Sequence, residues 1–405
     1  MLSNAYFSAK DEGSLSRAHD YAGVAVVCPV TIPYVRRSDN AAHWFVGRAL
    51  AALIEASQIA KDHIDGLAVA SFTLGSDTVV ALTEHFGMSP RFIEWLPTGG
   101  ASGVMALRRA ARAVQMGDAS VVACIAGDTS DATSFAKLVR DFSEFSTQAV
   151  YPYGAAGPNG PFALMTDHYM RTFGAQRSDF GRIALAQRAN ASSNPNALLG
   201  GKPLTMDQYL AAKPIASPLH LFDCVMPCAG AEAFLVMDDA RAKSLGLPRA
   251  HIRGSIERHN AYFNDPVAVR GGWAMDREAL YDQAGLGPSD IDCVETYDDY
   301  PVVVALQLED LGFCGKGEAP GFLRTVDLST TGGGLPHNTS GGQLSCGQAG
   351  AAGGFLPLVE ALRQVTSQTL GEQVPHARIA LASGYGMVTF DRCVCTAAAI
   401  LEHAG

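Results

Sequence analysis

The chain has 405 residues, 48% of them hydrophobic and 17% charged, with a formal charge of −10. This length accommodates two or three domains around a large apolar core, and the composition excludes a disordered or repeat-built chain. The negative charge, with no long basic run, repels nucleic acid on average, yet small anions can still bind at local basic or helix-N-terminal sites.

In chain order, residues 24–27 read as a buried strand, 41–60 as a helix and 64–70 as a second strand. Thr98-Gly99-Gly100-Ala101-Ser102-Gly103 leads into a helix over 104–116 and a strand over 120–126. Residues 131–215 are rich in polar residues, Pro and Gly, with two helical stretches near 162–173 and 178–191. A segment this long with its own helices looks like an inserted cap over a site. The second half then replays the first, with a helix over 277–284, a turn at 287–289 and a strand over 291–297. The pairs Ile64-Asp65 and Ile291-Asp292 lie 227 positions apart. Gly347-Gln348-Ala349-Gly350 leads into a helix over 355–365 and a strand over 378–382, echoing the earlier Gly-rich entry. The simplest account is two related halves, each a mostly parallel sheet covered by helices. The expected division is an N-terminal half of 1–130 plus 216–245, an inserted loop or cap domain of 131–215, and a C-terminal half of 246–405.

Residues 1–20 contain no signal-peptide core, because Ser, Asp, Glu and Arg interrupt them. No apolar run approaches the roughly 20 residues that span a bilayer, so no membrane partner is expected. The nine cysteines include no CxxC pair, and no histidine cluster completes a metal site. A reduced, cytoplasmic protein with buried thiols and no bound metal follows.

The stretch His337–Gly350 carries the most chemistry. Four of its fourteen residues are Gly, and an apolar helical pattern follows at once. Such a loop brings bare backbone to a helix start, where N–H groups and the helix dipole stabilise a developing anion. Asn338-Thr339-Ser340-Gly341-Gly342, Gly347-Gln348-Ala349-Gly350 and Gly384-Tyr385-Gly386 resemble the C-terminal active-site loops of the thiolase superfamily, in its sterol-carrier-protein-X-type (lipid-transfer-protein-like) branch. Pro203-Leu204-Thr205, Ile215-Ala216-Ser217-Pro218-Leu219 and Asp223-Cys224-Val225-Met226-Pro227 resemble that branch's loop-domain and linker segments. Glu295-Thr296-Tyr297-Asp298-Asp299-Tyr300 resembles its strand-end oxyanion motif. The likeness covers roughly residues 20–400. It implies an α/β fold, a five-layer αβαβα sandwich of two duplicated halves with an inserted loop domain. It also implies an acyl-CoA substrate whose coenzyme A is part of the substrate, no covalently bound cofactor, and a homodimer or higher assembly.

The family's covalent chemistry is missing. Thiolases attack with a cysteine at a strand-to-helix turn, and that position holds Gly100. The activating histidine aligns with Gln348, and the second cysteine aligns with Ala382. What remains is electrostatic. Gln348 can donate a hydrogen bond, Tyr297 can reach a thioester oxygen, Tyr385 can aim a second phenol into the pocket, and His337 is the nearest base. Gly100, Ser340, Gly341, Gly342, Gly347, Gly384 and Gly386 form the expected oxyanion and substrate loops.

This set points to non-covalent retro-aldol or aldol chemistry at a C–C bond through enolate stabilisation. Two alternatives stay open: an acyltransferase of the 3-ketoacyl-CoA thiolase type with a non-standard nucleophile, and a catalytically silent CoA-binding subunit. Some lipid-transfer-protein-type members are retro-aldolases that require a small OB-fold/zinc-ribbon partner, so the resemblance implies such a partner here. Ser102 lacks a nearby base, Cys346 reads as a small packed residue, and Asp298-Asp299 as solvated or paired acids.

Overall fold

The computed structural model describes residues 20–131, 133–134, 144–149, 151–154, 157–389 and 392–405. Parts of the expected cap (132, 135–143, 150 and 155–156) lie outside the described residues.

Strands β1 (Val24–Val35), β2 (Gly66–Ala70), β3 (Phe92–Trp95) and β4 (Val121–Asp128) come from the first half. β5 (Pro214–Ala216) and β6 (Leu219–His220) form a small separate ribbon. β7 (Ala229–Asp238), β8 (Arg249–His259), β9 (Cys293–Thr296), β10 (Ile379–Thr389) and β11 (Arg392–His403) complete the set. The hydrogen-bonded order is β3-β2-β4-β7-β1-β8-β11-β10-β9. The two halves join through the short pairing of β1 with β8, in which Ala25, Val26 and Val27 face His251, Ala250 and Arg249.

The principal helices are α1 (Ala42–Ser57), α2 (Val79–Phe86), α3 (Ser102–Met116), α4 (Asn159–Phe173), α5 (Arg177–Asn190), α6 (Trp273–Ala284), α7 (Pro301–Asp310) and α8 (Leu356–Thr366). Period-two alternation along the strands separates three cores. Ala25, Val27, Leu67, Val69, Ala123 and Ile125 pack with α1 and α2. Their neighbours Val24, Val26, Ala68, Val122 and Cys124 face the opposite way, onto α3 and α8. Ala380, Ala382, Ala397 and Ala399 reach the same central core from the second half. Leu381, Ala398 and Ile400 turn outward to α6 and α7. The result is helix, sheet, helix, sheet, helix: the five-layer sandwich.

The duplication is visible in hydrogen bonds as well as in order. Asp65 Oδ1 accepts from the N–H groups of Ser120 and Val121, at the start of β4. Asp292 Oδ2 accepts from those of Arg378 and Ile379, at the start of β10. Each aspartate therefore sets the register of the next parallel strand. The expectation of mostly parallel sheets needs correction. β2–β3, β2–β4 and β9–β10 run parallel, but β1–β7, β4–β7, β1–β8, β8–β11 and β10–β11 run antiparallel. β7 enters after the long excursion through the cap and runs opposite to the crossover-linked strands.

The two Gly-rich turns meet back to back in the middle layer. A Cβ added to Gly354 would lie 2.6 Å from Gly99 O and 2.8 Å from Gly100 Cα, and one on Gly103 would lie 2.9 Å from Phe355 Cα. A Cβ on Gly384 would lie 2.6 Å from Gly100 O and 2.7 Å from Ala101 Cα. Backbone meets backbone here, so no side chain can yield. Gly354→Ala is therefore expected to destabilise the fold by about 2–3 kcal/mol in urea unfolding, as overpacking does. Gly321→Ala, whose Cβ would meet nothing within 4 Å, serves as the control and should change little. Equal effects for the two would argue against the back-to-back packing.

Candidate active site

β9 ends at Thr296, and the turn that follows presents four side chains in different directions before α7 begins at Pro301. Tyr297 is fixed by its backbone: its N–H donates to Ser383 O at 3.1 Å, and its carbonyl accepts from Gln307 Nε2 at 2.7 Å. The same Gln307 amide accepts from Ser383 Oγ, locking turn, helix and β10 together.

Gln348 is held just as firmly. Its N–H donates to Met226 O and its carbonyl accepts from Cys228 N, so the 224–228 linker pairs with it like a short strand. Gln348 Nε2 then donates to the Tyr297 phenol oxygen at 3.1 Å, with both residues only 7% exposed. Donation to that oxygen polarises the phenol O–H toward its next acceptor. Gln348 Oε1 is buried and has no hydrogen-bond partner among the described residues.

Gly100 lies against the Tyr297 ring. A Cβ there would sit 2.5 Å from Tyr297 Cζ and would also collide with Tyr385 O. Tyr297 therefore fills the space that a side chain at position 100 would need. Gly384 and Gly386 press on the 98–101 turn from the other side, and Gly347 packs on Cys228 Sγ.

Tyr385 shares an aromatic cluster with Tyr297, Tyr300 and Phe162. Its ring stacks on Trp273 at 5.8 Å between centroids, and its phenol runs toward Met165 Sδ at 3.9 Å. His337 is fully buried, with Nε2 2.8 Å from Thr296 Oγ1 and Nδ1 without a partner among the described residues. Burial pushes its pKa down to about 3, so the ring is neutral at any ordinary pH. The structure thus brings Tyr297, Gln348 and Gly100 into contact and places His337 on the Thr296 side of the motif.

Ser340, Gly341 and Gly342 support the site from behind. Gly341 packs on Ala191, and Gly342 packs on Asp298 and Asn338. Asn338 grips the Thr296 backbone through Oδ1 at 2.7 Å and Nδ2 at 3.0 Å. The Thr339 hydroxyl lies 2.7 Å from both Glu295 Oε1 and Glu360 Oε1, while Gln364 Nε2 donates to it at 3.0 Å. One hydroxyl proton cannot serve two carboxylates, so one carboxyl must itself carry a proton. Burial, then the charge of Glu360, pushes the fully buried Glu295 well above the carboxylate range. Ser102 Oγ is occupied by Leu96 O and Thr98, and Cys346 Sγ donates to Ser340 O at 3.2 Å.

The acid pair Asp298-Asp299 departs from the expectation of solvated or paired carboxylates. Both are buried. Asp298 accepts from Gln343 N at 3.0 Å and Leu344 N at 3.2 Å, whereas Asp299 Oδ1 has no partner among the described residues. Periodicity cannot tell these two neighbours apart; the only available signal was their place between Tyr297 and the helix-opening Pro301.

A family model described as "Thiolase C-terminal domain-like" matches residues 254–399. A steroid side-chain-cleaving aldolase of Thermomonospora curvata is 31% identical over 355 residues, covering 84% of this chain and 89% of that relative. The chain belongs to the thiolase superfamily. A second relative, a 17-hydroxy-3-oxo-4-pregnene-20-carboxyl-CoA lyase of Mycobacterium tuberculosis, is 30% identical over 80% of this chain and 87% of its own length. Among solved structures, the Ltp2-ChsH2(DUF35) aldolase aligns with a TM-score of 0.79 and 27% identity, covering 94% of this chain and 98% of that one. This thiolase-superfamily site lacks the covalent cysteine and its histidine, and Tyr297 fills the space at the nucleophile position.

No helix among the described residues is long and apolar enough to cross a membrane. No group of three or more His, Cys, Asp or Glu among them is placed to hold a metal ion.

Behind the loop, fully buried Glu232 is pushed up to about 8 by burial. Unfolded, it ionises near 4.5, so between these values the native state holds the extra proton and stability falls as pH rises. The slope is about 1.4 kcal/mol per pH unit at most. Glu232→Gln is expected to flatten the decline in Tm between pH 5 and 8; a slope equal to wild type would show that Glu232 is ionised in the fold.

Proposed function

We propose that this protein cleaves or forms a C–C bond in acyl-CoA thioesters by a non-covalent retro-aldol or aldol reaction. The observation that carries the reading is the Tyr297 ring lying where a side chain at position 100 would have to be. The lack of room for a side chain at position 100 supports a reaction without a covalent acyl-enzyme. The Gln348–Tyr297 pair supplies what an enolate needs instead, a preorganised donor in a buried site. In the cleavage direction a 3-hydroxyacyl-CoA loses its hydroxyl proton and the C2–C3 bond breaks. The electron pair delocalises into the thioester oxygen, where the Tyr297 phenol meets it. The activities of the two relatives, a side-chain-cleaving aldolase and a CoA lyase, support this reading.

Coenzyme A enters as part of the substrate, with no covalently bound cofactor. The solved relative is a complex of two proteins, which supports a small OB-fold/zinc-ribbon partner for this chain. Self-association is supported by β3 at the sheet edge, where Ile93 and Trp95 are 41% and 38% exposed. Eight cysteines among the described residues are free thiols, in keeping with a reducing, cytoplasmic setting.

The test is product analysis with the protein alone and with the partner. With 3-hydroxy-3-phenylpropanoyl-CoA, release of benzaldehyde and acetyl-CoA that resists iodoacetamide is expected. CoA-dependent thiolysis of a 3-ketoacyl-CoA, blocked by iodoacetamide, would overturn the proposal. Tyr297→Phe should lower turnover by about 10²-fold or more, as loss of an oxyanion donor does. Gly100→Cys should not confer thiolysis while Tyr297 is in place.

A further inference from the structure

We propose that Asp299 is the general base of this site, taking the proton from the substrate's 3-hydroxyl and returning it to C2. The inference rests on the retro-aldol reading and supplies the proton acceptor which that reading needs.

The turn from Tyr297 to Tyr300 assigns each side chain a separate task. Tyr297 meets Gln348 and Gly100. Asp298 turns back and accepts from the backbone of Gln343 and Leu344, holding the Gly-rich loop. The Tyr300 phenol donates to Asn159 Oδ1 at 2.6 Å and stacks on Phe162, at the first turn of α4. Asp299, between Asp298 and Tyr300 in sequence, is 8% exposed; backbone N–H groups at 299 and 300 steady its carboxylate, and Oδ1 has no hydrogen-bond partner among the described residues. Buried carboxylate oxygens are nearly always hydrogen-bonded, and one left open beside a candidate site is free to accept from a ligand's donor.

The surroundings fit that role. Cys224 from the linker and Tyr300 at the start of α7 share Asn159 Oδ1 as a partner, and the same linker continues to Met226 and Cys228, which hold Gln348. Asp299 thus stands on the turn that carries Tyr297 and near the wall that positions Gln348. The ionisable groups around it are Asp298 on the turn, Cys224 on the linker, and Tyr300. Burial, followed by the neighbouring charge of Asp298, lifts its carboxyl well above the usual range, which raises its affinity for a proton. The alternatives are committed elsewhere. His337 binds Thr296 and is too weakly basic, and the Cys346 thiol donates to Ser340 O.

The step balances without a co-reactant. The carboxylate takes the hydroxyl proton, the O–H pair becomes the new C=O of the departing aldehyde or ketone, and the C2–C3 pair becomes the enolate. The protonated Asp299 then delivers its proton to C2, giving the shortened acyl-CoA and restoring the carboxylate.

Asp299→Asn is isosteric and removes only the base. With 3-hydroxy-3-phenylpropanoyl-CoA we expect kcat to fall by about 10³-fold with KM within about threefold, and formate to restore at least tenfold of the loss in Asp299→Ala. Asp299→Glu, which keeps the carboxyl, should retain more activity than Asn and guards against a folding defect, monitored by Tm. If the wild type cleaves the substrate while Asp299→Asn stays within tenfold of it, Asp299 is not the base and the retro-aldol reading stands. If the wild type instead performs thiolysis, or cleaves nothing with its partner present, the reading fails and the base assignment falls with it.

Discussion

The site depends on two helix-entry turns whose backbones touch. Gly99–Gly103 and Gly350–Gly354 meet between the two halves, with Gly384 closing the third side, and each approach leaves no space for a Cβ. Asp128 secures the arrangement from the first half. Fully buried, it accepts from Ser71 Oγ, the N–H groups of Phe72 and Thr73, and Ala351 N. These donors offset the cost of its desolvation and tie the end of β4 to the entry turn before α8. Because the two turns are fixed to each other, the space above them is fixed too. Whatever fills it decides the chemistry.

In this chain an aromatic ring fills it. The Tyr297 ring lies against Gly100, and Gln348 binds its hydroxyl, so a thiolase-superfamily scaffold carries a phenol where a side chain at position 100 would stand. In the proposed reaction the covalent intermediate is absent and the electrostatics remain. Enolate stabilisation requires donors already aimed and little water to reorganise, and the surrounding burial supplies both. The network behind the loop serves the same end. Glu295, Thr339, Glu360 and Gln364 share protons in a buried chain that clamps the Asn338–Gly342 turn onto β9.

Much of the fold was legible because local rules wrote it. Asp65 and Asp292 stand at equivalent points of the repeat and do equivalent work at the strand starts. The Gly-rich entries announced the helices α3 and α8. The antiparallel pairings escaped, since they depend on how β7 returns from the cap and on the tertiary joining of β1 to β8, which no local pattern encodes. The site was legible as a set of residues and illegible as an arrangement. Gln348 in a histidine's place could be read directly, whereas the Tyr297 ring over Gly100 required the distance between residues nearly 200 positions apart. His337 looked like a base because it precedes the Asn338–Gly342 loop; burial, invisible in the sequence, lowers its affinity for a proton.

Asp298 and Asp299 sharpen the point. They are the same residue type, adjacent, both buried and both raised by desolvation. Composition, spacing and burial give them one description. They differ in which atoms have partners: Asp298 answers the N–H groups of Gln343 and Leu344 on the facing loop, while Asp299 meets local backbone N–H groups and its Oδ1 has no partner among the described residues. A carboxylate whose oxygens are committed to backbone donors shapes a loop, because taking a proton would break the bonds that hold it. One with an open oxygen can accept a proton and lose no bond at that atom. The difference between a structural acid and a proton acceptor therefore rests on unmet hydrogen-bonding capacity.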